Sequence, residues 1–142
     1  MVDRLVLVDT DAFSKVVLRR RDSDPRSDGW RKLLTGWKLT IAAQSEAEMR
    51  YGALLAQWGE PRMAALAQTF RRVPTLPVTE DVITSFATIR VACHRAGHPL
   101  AAKAHMGDAW VAATAHAYDL PLLAGDQIYR EVPGLLLLED AS

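Results

Sequence analysis

The segment RLVLVDTDAF, residues 4–13, decides the fold. Leu5, Val6, Leu7 and Val8 form an unbroken apolar run, which suits a strand covered on both faces rather than one face of a half-solvated sheet. The run stops at Asp9-Thr10-Asp11, and residues 12–21 read as a helix. A buried strand followed at once by a helix is the opening of an α/β fold. The rest of the chain repeats the alternation. Residues 39–43 read as a second strand, followed by a helix from Ser45 to about residue 57, with Ser45 and Glu48 in capping-box spacing. Pro61 suits the first turn of another helix. Residues 73–78 carry two prolines and read as an edge strand or extended connector. Thr79 caps a long helix that Gly97-His98-Pro99 ends. Residues 106–118 are helical and alanine-rich, and residues 121–123 and 135–138 are short apolar strands. The segment DSDPRSDG, residues 22–29, reads as loop, with a short helix over residues 30–34. Strands alternating with helices predict an α/β class with a mostly parallel sheet.

The chain has 142 residues, which fits one domain. Hydrophobic residues make up 49%, so a core can form and disorder is excluded. Apolar stretches fall far short of the roughly 20 residues that a membrane span needs, and the N-terminal run is too short for a signal peptide. A single cysteine, Cys93, excludes an internal disulfide framework and a cysteine-based zinc cluster. These features predict a soluble, cytoplasmic protein. Lys plus Arg and Asp plus Glu number 17 each, a balance that by itself weighs against a partner held by bulk electrostatics.

Acidic residues point elsewhere. In parallel sheets, sites form beyond the carboxyl ends of the strands. Asp9 and Asp11 follow the first strand, and Asp126 follows the strand at 121–123. Glu48 has Tyr51, Gly52 and Leu55 at helical offsets, and Asp108 has Val111, Ala112 and Ala115. Both acids are therefore expected on inward faces, where an unpaired carboxylate is costly unless it meets a cation. Glu46 instead has Arg50 four residues on, a solvated ion pair. Five carboxylates, Asp9, Asp11, Glu48, Asp108 and Asp126, are thus candidates for one cleft. An all-oxygen set suits Mg²⁺ or Mn²⁺ rather than zinc, and such a centre can activate water against a phosphoryl group. Each acid also has a local reading. Asp9 and Asp11 can cap a turn, Glu48 can close a capping box, Asp108 can favour a helix N-terminus, and Asp126 can cap the following turn. Setting the five aside leaves twelve acidic residues against seventeen basic ones, a surface compatible with RNA.

Four stretches in order carry a family resemblance: LVLVDTDAFSKV (5–16), SEAEMRYGALL (45–55), GDAWVAATAHAYDLPLLAGDQIY (107–129) and VPGLLLL (132–138). The chain resembles a PIN-domain ribonuclease of the VapC type, the toxin half of a type II toxin–antitoxin pair. The resemblance implies a three-layer α/β/α fold over residues 1–142. It also implies an Mg²⁺-dependent endoribonuclease that blocks translation and leaves 5′-phosphate and 3′-hydroxyl ends. A cognate antitoxin, a homodimer and an RNA substrate come with it. Asp9, Glu48, Asp108 and Asp126 occupy the family's acid positions. Asp9 and Asp108 are expected as direct metal ligands, with Glu48 positioning metal or water and Asp126 acting directly or through water. Asp11 stands where the family often has a small polar residue or another acid. Two departures stand out: Ala124-Gly125 where the family often has Thr or Ser, and Ile128 where many members carry a further acid.

Other features read more plainly. Arg19-Arg20-Arg21 suits a helix C-terminus or a contact with RNA or antitoxin. His94 and His98 are spaced like a zinc pair, but Gly97 breaks the helix between them. His105 is a candidate phosphate contact or a packing residue, and Cys93 a core residue. Trp110 is expected to pack against neighbouring helices, while Trp30 and Trp37 are candidate apolar anchors for an antitoxin helix. VLVDTDAF superficially resembles the opening of a haloacid-dehalogenase-type phosphatase, in which the first Asp is a nucleophile. Ala12 and Phe13 depart from that pattern, and Gly125-Asp126 lacks its second acid. A catalytically weak PIN domain that only binds RNA or a partner is the further alternative.

Overall fold

The computed structural model describes residues 4–18 and 24–139. Strand β1, Arg4–Val8, is central in a four-stranded sheet of order β3-β2-β1-β4. Its neighbours are β2, Trp37–Ala42, and β4, Leu122–Leu123, and both pair with it in parallel. Strand β3, Thr75–Leu76, lies parallel to β2 at the edge, where Pro74 and Pro77 cost the ladder nothing. All pairings are parallel, because each strand is separated from the next by helix. Residues 135–138 do not form a full strand. They contribute a single bridge, Leu122 to Leu137.

The apolar run of β1 does what its composition requires. Val6 and Val8 are buried on one face among Phe13, Trp30, Leu34 and Ile41. Leu7 is buried on the other among Ile89, Cys93, Leu100, Val111 and Ala115. Leu122 and Leu123 divide between the same two clusters. Period-two alternation of a wholly apolar strand therefore feeds two cores, one on each side of the sheet, giving three layers. One outer layer includes α1, Thr10–Phe13, which widens into a π-type turn over Ser14–Leu18, and α2, Arg26–Leu33. The other holds α5, Glu80–Ala96, and α6, Met106–Ala117. Helices α3, Ala43–Leu55, and α4, Glu60–Arg72, lie between β2 and β3 in the chain.

Four local expectations change. Helix α2 begins inside the segment expected as loop, because Asp24 Oδ1 accepts the Arg26 N–H and tightens the turn ahead of it. Helix α3 starts at Ala43 directly after β2, so Ser45 lies within its first turn and makes no capping bond. The inward stripe of α3 is Ser45, Met49 and Ala53, not the Glu48 face. Tyr51 and Leu55 are 66% and 68% exposed. Trp30 is buried in the core and offers no anchor to a partner. By contrast, Thr79 caps α5 by accepting the Val82 N–H, and Gly97 ends it at φ +69°. Trp110 packs as expected, stacked on Phe86 at 3.8 Å between ring centroids. Arg19-Arg20-Arg21 lies outside the described residues.

Candidate active site

Asp9 is the first residue past β1 and is 3% exposed. Its two oxygens serve different elements. Oδ1 accepts the Ala12 N–H at 2.8 Å and caps α1, while Oδ2 accepts the Gly125 N–H at 3.0 Å from the loop after β4. The Asp126 N–H also supports the carboxylate. Burial raises its pKa from 3.8 to about 6; the backbone donors oppose this and the negative charge of Asp11 adds to it. The capping role and the site role thus belong to the same side chain.

Thr10 links this edge to α3. Its Oγ1 stands 3.0 Å from Ser45 Oγ and 3.0 Å from Glu48 Oε2. The hydroxyls form a chain that ends on the carboxylate. Glu48 is held on its other oxygen by the Gln44 amide, which donates to Oε1 at 3.0 Å. Gly107 makes room for this pair, since a Cβ there would lie 3.0 Å from both Gln44 Nε2 and Glu48 Oε1.

Asp108 sits in the first turn of α6, where the unpaired N–H groups favour negative charge. His105 Nδ1 lies 3.0 Å from its Oδ2, and the Tyr129 hydroxyl donates to Oδ1 at 3.2 Å. Tyr129 is 2% exposed, in the short turn Gln127–Tyr129. Its hydroxyl is held far above its ordinary pKa by burial first, then by the charges of Asp108 and Asp9, the hydrogen bond to Asp108, and the charge of Glu48. Of the three acids, which come from separate stretches of chain, Asp108 alone bonds this hydroxyl, while Asp9 and Glu48 act on it through charge.

The other two acids occupy the rim. Asp126 is exposed, and its side chain caps the turn after it by accepting the Ile128 N–H at 2.9 Å. Ile128 is buried. Asp11 is paired with Lys15 at 3.1 Å and with Arg26 at 3.6 Å. Those cations also hold Asp24, whose carboxyl lies well below the usual range, chiefly through Arg26 and then Lys15. Arg26 further donates to the Gly125 carbonyl at 2.7 Å. Gly125 and Asp11 explain each other, because a Cβ at 125 would collide with the Asp11 carboxylate and press on Trp30.

Thr10, Ser45, His105 and Tyr129 complete the arrangement; the sequence offers only His105 among them as a site candidate and Ser45 as a helix cap. Their signal is adjacency to the acids, in space rather than in sequence. His98 is no zinc ligand here. Its Nδ1 accepts the Leu100 N–H at 3.0 Å and its Nε2 lies 2.7 Å from the Arg130 carbonyl.

The donor set is carboxylate and hydroxyl oxygen, which fits a hard cation such as Mg²⁺ in chemistry and charge. Among the described residues, no three acidic, histidine or cysteine side chains stand close enough to hold a metal ion as they lie. The acids are spaced for hydrogen bonds to protein donors.

An acid-lined edge beyond the carboxyl ends of a parallel sheet defines a class of three-layer α/β proteins. Residues 6–135 match the PIN domain, and the chain belongs to that family. No curated protein sequence matches it. Solved structures share the fold. VapBC2 from Rickettsia felis, bound to a DNA fragment from its promoter, matches with a TM-score of 0.75 at 16% identity, over 94% of this chain and 96% of that one. VapBC-1 from nontypeable Haemophilus influenzae matches at 0.73 and 19% identity, over 94% and 96%. VapBC-5 from Mycobacterium tuberculosis, a member of the VapBC family of toxin–antitoxin systems, matches at 0.68 and 20% identity, over 96% and 98%.

Proposed function

We propose that the chain is a VapC-type toxin, an Mg²⁺-dependent endoribonuclease that hydrolyses RNA phosphodiester bonds to stop translation. The observation that carries this reading is that the short segment after β4 holds both Asp9, through the Gly125 N–H, and Asp108, through the Tyr129 hydroxyl, while Thr10, next to Asp9, bonds Glu48. Burial disfavours the charged form of Asp9, a cost that a bound cation would offset. Asp9 and Asp108 would hold Mg²⁺ (Mn²⁺ can substitute), Glu48 would position metal or water, and Asp126 would complete the set directly or through water. A bound divalent ion polarises a phosphate oxygen and lowers the pKa of water. The chain's own part is orientation. Backbone donors fix Asp9, Thr10 and Gln44 fix Glu48, and His105 and Tyr129 fix Asp108. Asp11 takes a rim role through Lys15 and Arg26, which favours charge compensation over ligation.

An antitoxin partner and a homodimer belong to the same reading. The chain carries a groove of about 680 Å³ whose lining includes Val17, Leu18, Trp58 and Leu66 together with Arg62 and Arg72. That lining suits an amphipathic helix with acidic flanks. Trp58, rather than Trp30 or Trp37, is the aromatic residue of this groove. Among the described residues no helix is long and apolar enough to cross a membrane.

The test incubates purified protein with structured RNA and with a generic phosphomonoester, each with Mg²⁺ or EDTA. RNA cleavage that needs Mg²⁺ and disappears in Asp9→Asn is expected. Phosphomonoester turnover without RNA cleavage would overturn the reading.

A further inference from the structure

Tyr129 places a buried hydroxyl against the acidic centre. Its ring belongs to the core cluster that includes Leu100, Ala109, Ile128 and Val132, and a phenylalanine would fill the same space. Packing therefore accounts for the ring and leaves the hydroxyl to be explained. A polar atom in that position costs free energy unless it is bonded. Its bond runs to Asp108 Oδ1 at 3.2 Å, while His105 occupies Oδ2 of the same carboxylate at 3.0 Å. Asp108 is thus gripped at both oxygens, one donor coming from the residue just before its helix and the other from the turn after β4. A carboxylate has about four acceptor sites, so two remain for a cation. Tyr129 also belongs to the turn that Asp126 caps, two residues after Gly125, whose N–H holds Asp9. One short segment therefore orients two of the central acids.

We propose that Tyr129 is a positioning residue of the acidic centre, its hydroxyl fixing the Asp108 carboxylate between α6 and the loop after β4. The inference rests on the metal-dependent reading above and adds a residue to it. Outer-shell hydrogen bonds to metal-binding carboxylates typically govern about 10–100-fold in metal affinity.

The experiment titrates Mn²⁺ into metal-free protein without RNA and reads free Mn²⁺ by electron paramagnetic resonance. Wild type, Tyr129→Phe and Tyr118→Phe are compared. Tyr118 is the control, since its hydroxyl donates to the Pro77 carbonyl at 2.7 Å, a bond that involves none of the acids. Tyr129→Phe is expected to weaken Mn²⁺ binding about tenfold or more, with Tyr118→Phe close to wild type. In RNA cleavage, kcat of Tyr129→Phe is expected to fall with KM nearly unchanged. Thermal denaturation checks that each variant is folded. If Tyr129→Phe does not fold, site-specific fluorotyrosine at 129 keeps ring and hydroxyl and alters only donor strength, and a changed Mn²⁺ affinity then supports the proposal. Equal Mn²⁺ affinity in wild type and the altered protein overturns the role of Tyr129 and leaves the nuclease reading standing. Wild type that neither binds Mn²⁺ nor cleaves RNA overturns that reading, and this inference with it.

Discussion

Asp9 shows how much one carboxylate can be asked to do. It ends β1, caps α1 and holds the Gly125 N–H, and it does so buried. A carboxyl raised from 3.8 to about 6 binds its proton more tightly in the folded than in the unfolded chain. Its contribution therefore favours the fold below about pH 4 and is lost as pH rises through 6. Across that window the metal-free protein should lose on the order of 3 kcal/mol through Asp9. Denaturation of wild type and Asp9→Ala in EDTA between pH 4 and 7 measures this. The wild-type slope should be the steeper, and parallel slopes would contradict the assignment. The Asp11–Gly125 contact gives a second expectation at this scale. Gly125→Ser should destabilise the protein by about 1–2 kcal/mol, and by clearly less when Asp11→Ser is also present. Additive costs in a double-mutant cycle would show that the two positions do not share their space. The acids themselves were legible in the sequence because a carboxylate beyond a strand end or on an apolar helix face is conspicuous. Thr10, Ser45 and Tyr129 were not, because ordinary hydroxyls acquire their role only when distant segments meet.

Elements with punctuation were read most closely. Helix α5 is bounded by Thr79 and Gly97, and both act as their chemistry dictates. Thr79→Ala should cost about 1 kcal/mol by leaving the Val82 N–H without its acceptor. A shift in the chemical-denaturation midpoint without a change in slope is the expected signature, and an unchanged midpoint would argue against the cap. Helix α3 shows the converse. Its start carries no capping side chain, since β2 runs straight into it, and the Ser45–Glu48 spacing imitates a capping box from within the first turn. The inward stripe of buried Ser45 and Ala53 and half-buried Met49 is weakly apolar, while exposed Tyr51, Leu54 and Leu55 are strongly so. Hydrophobic periodicity therefore points to the wrong face. Glu48 reaches the site through hydrogen bonds to Thr10 and Gln44, not through burial of its helix face.

At the scale of the molecule, the order β3-β2-β1-β4 places the ends of β1, β2 and β4 along one edge. That topology gathers acids from residues 9, 48, 108 and 126 without any of them being near another in sequence. Zero net charge conceals the result. Asp9 and Asp108 are both held by the segment after β4, while Asp11 and Asp24 are balanced by Lys15 and Arg26 at the rim. The parallel class was readable from alternation alone, and the two-sided core from the unbroken apolar run of β1. The brevity of β4 was readable too, but the single bridge at Leu137 was not, because Leu135–Leu138 is apolar enough for a strand. The most direct test is the chemistry of the cut. Wild type and Asp9→Asn are each incubated with RNA in Mg²⁺, and the new ends are mapped by ligation-dependent sequencing. The account predicts wild-type products with 5′-phosphate and 3′-hydroxyl ends, absent in EDTA and in the variant. Metal-independent cleavage leaving 2′,3′-cyclic phosphate, or cleavage that survives Asp9→Asn, would contradict it.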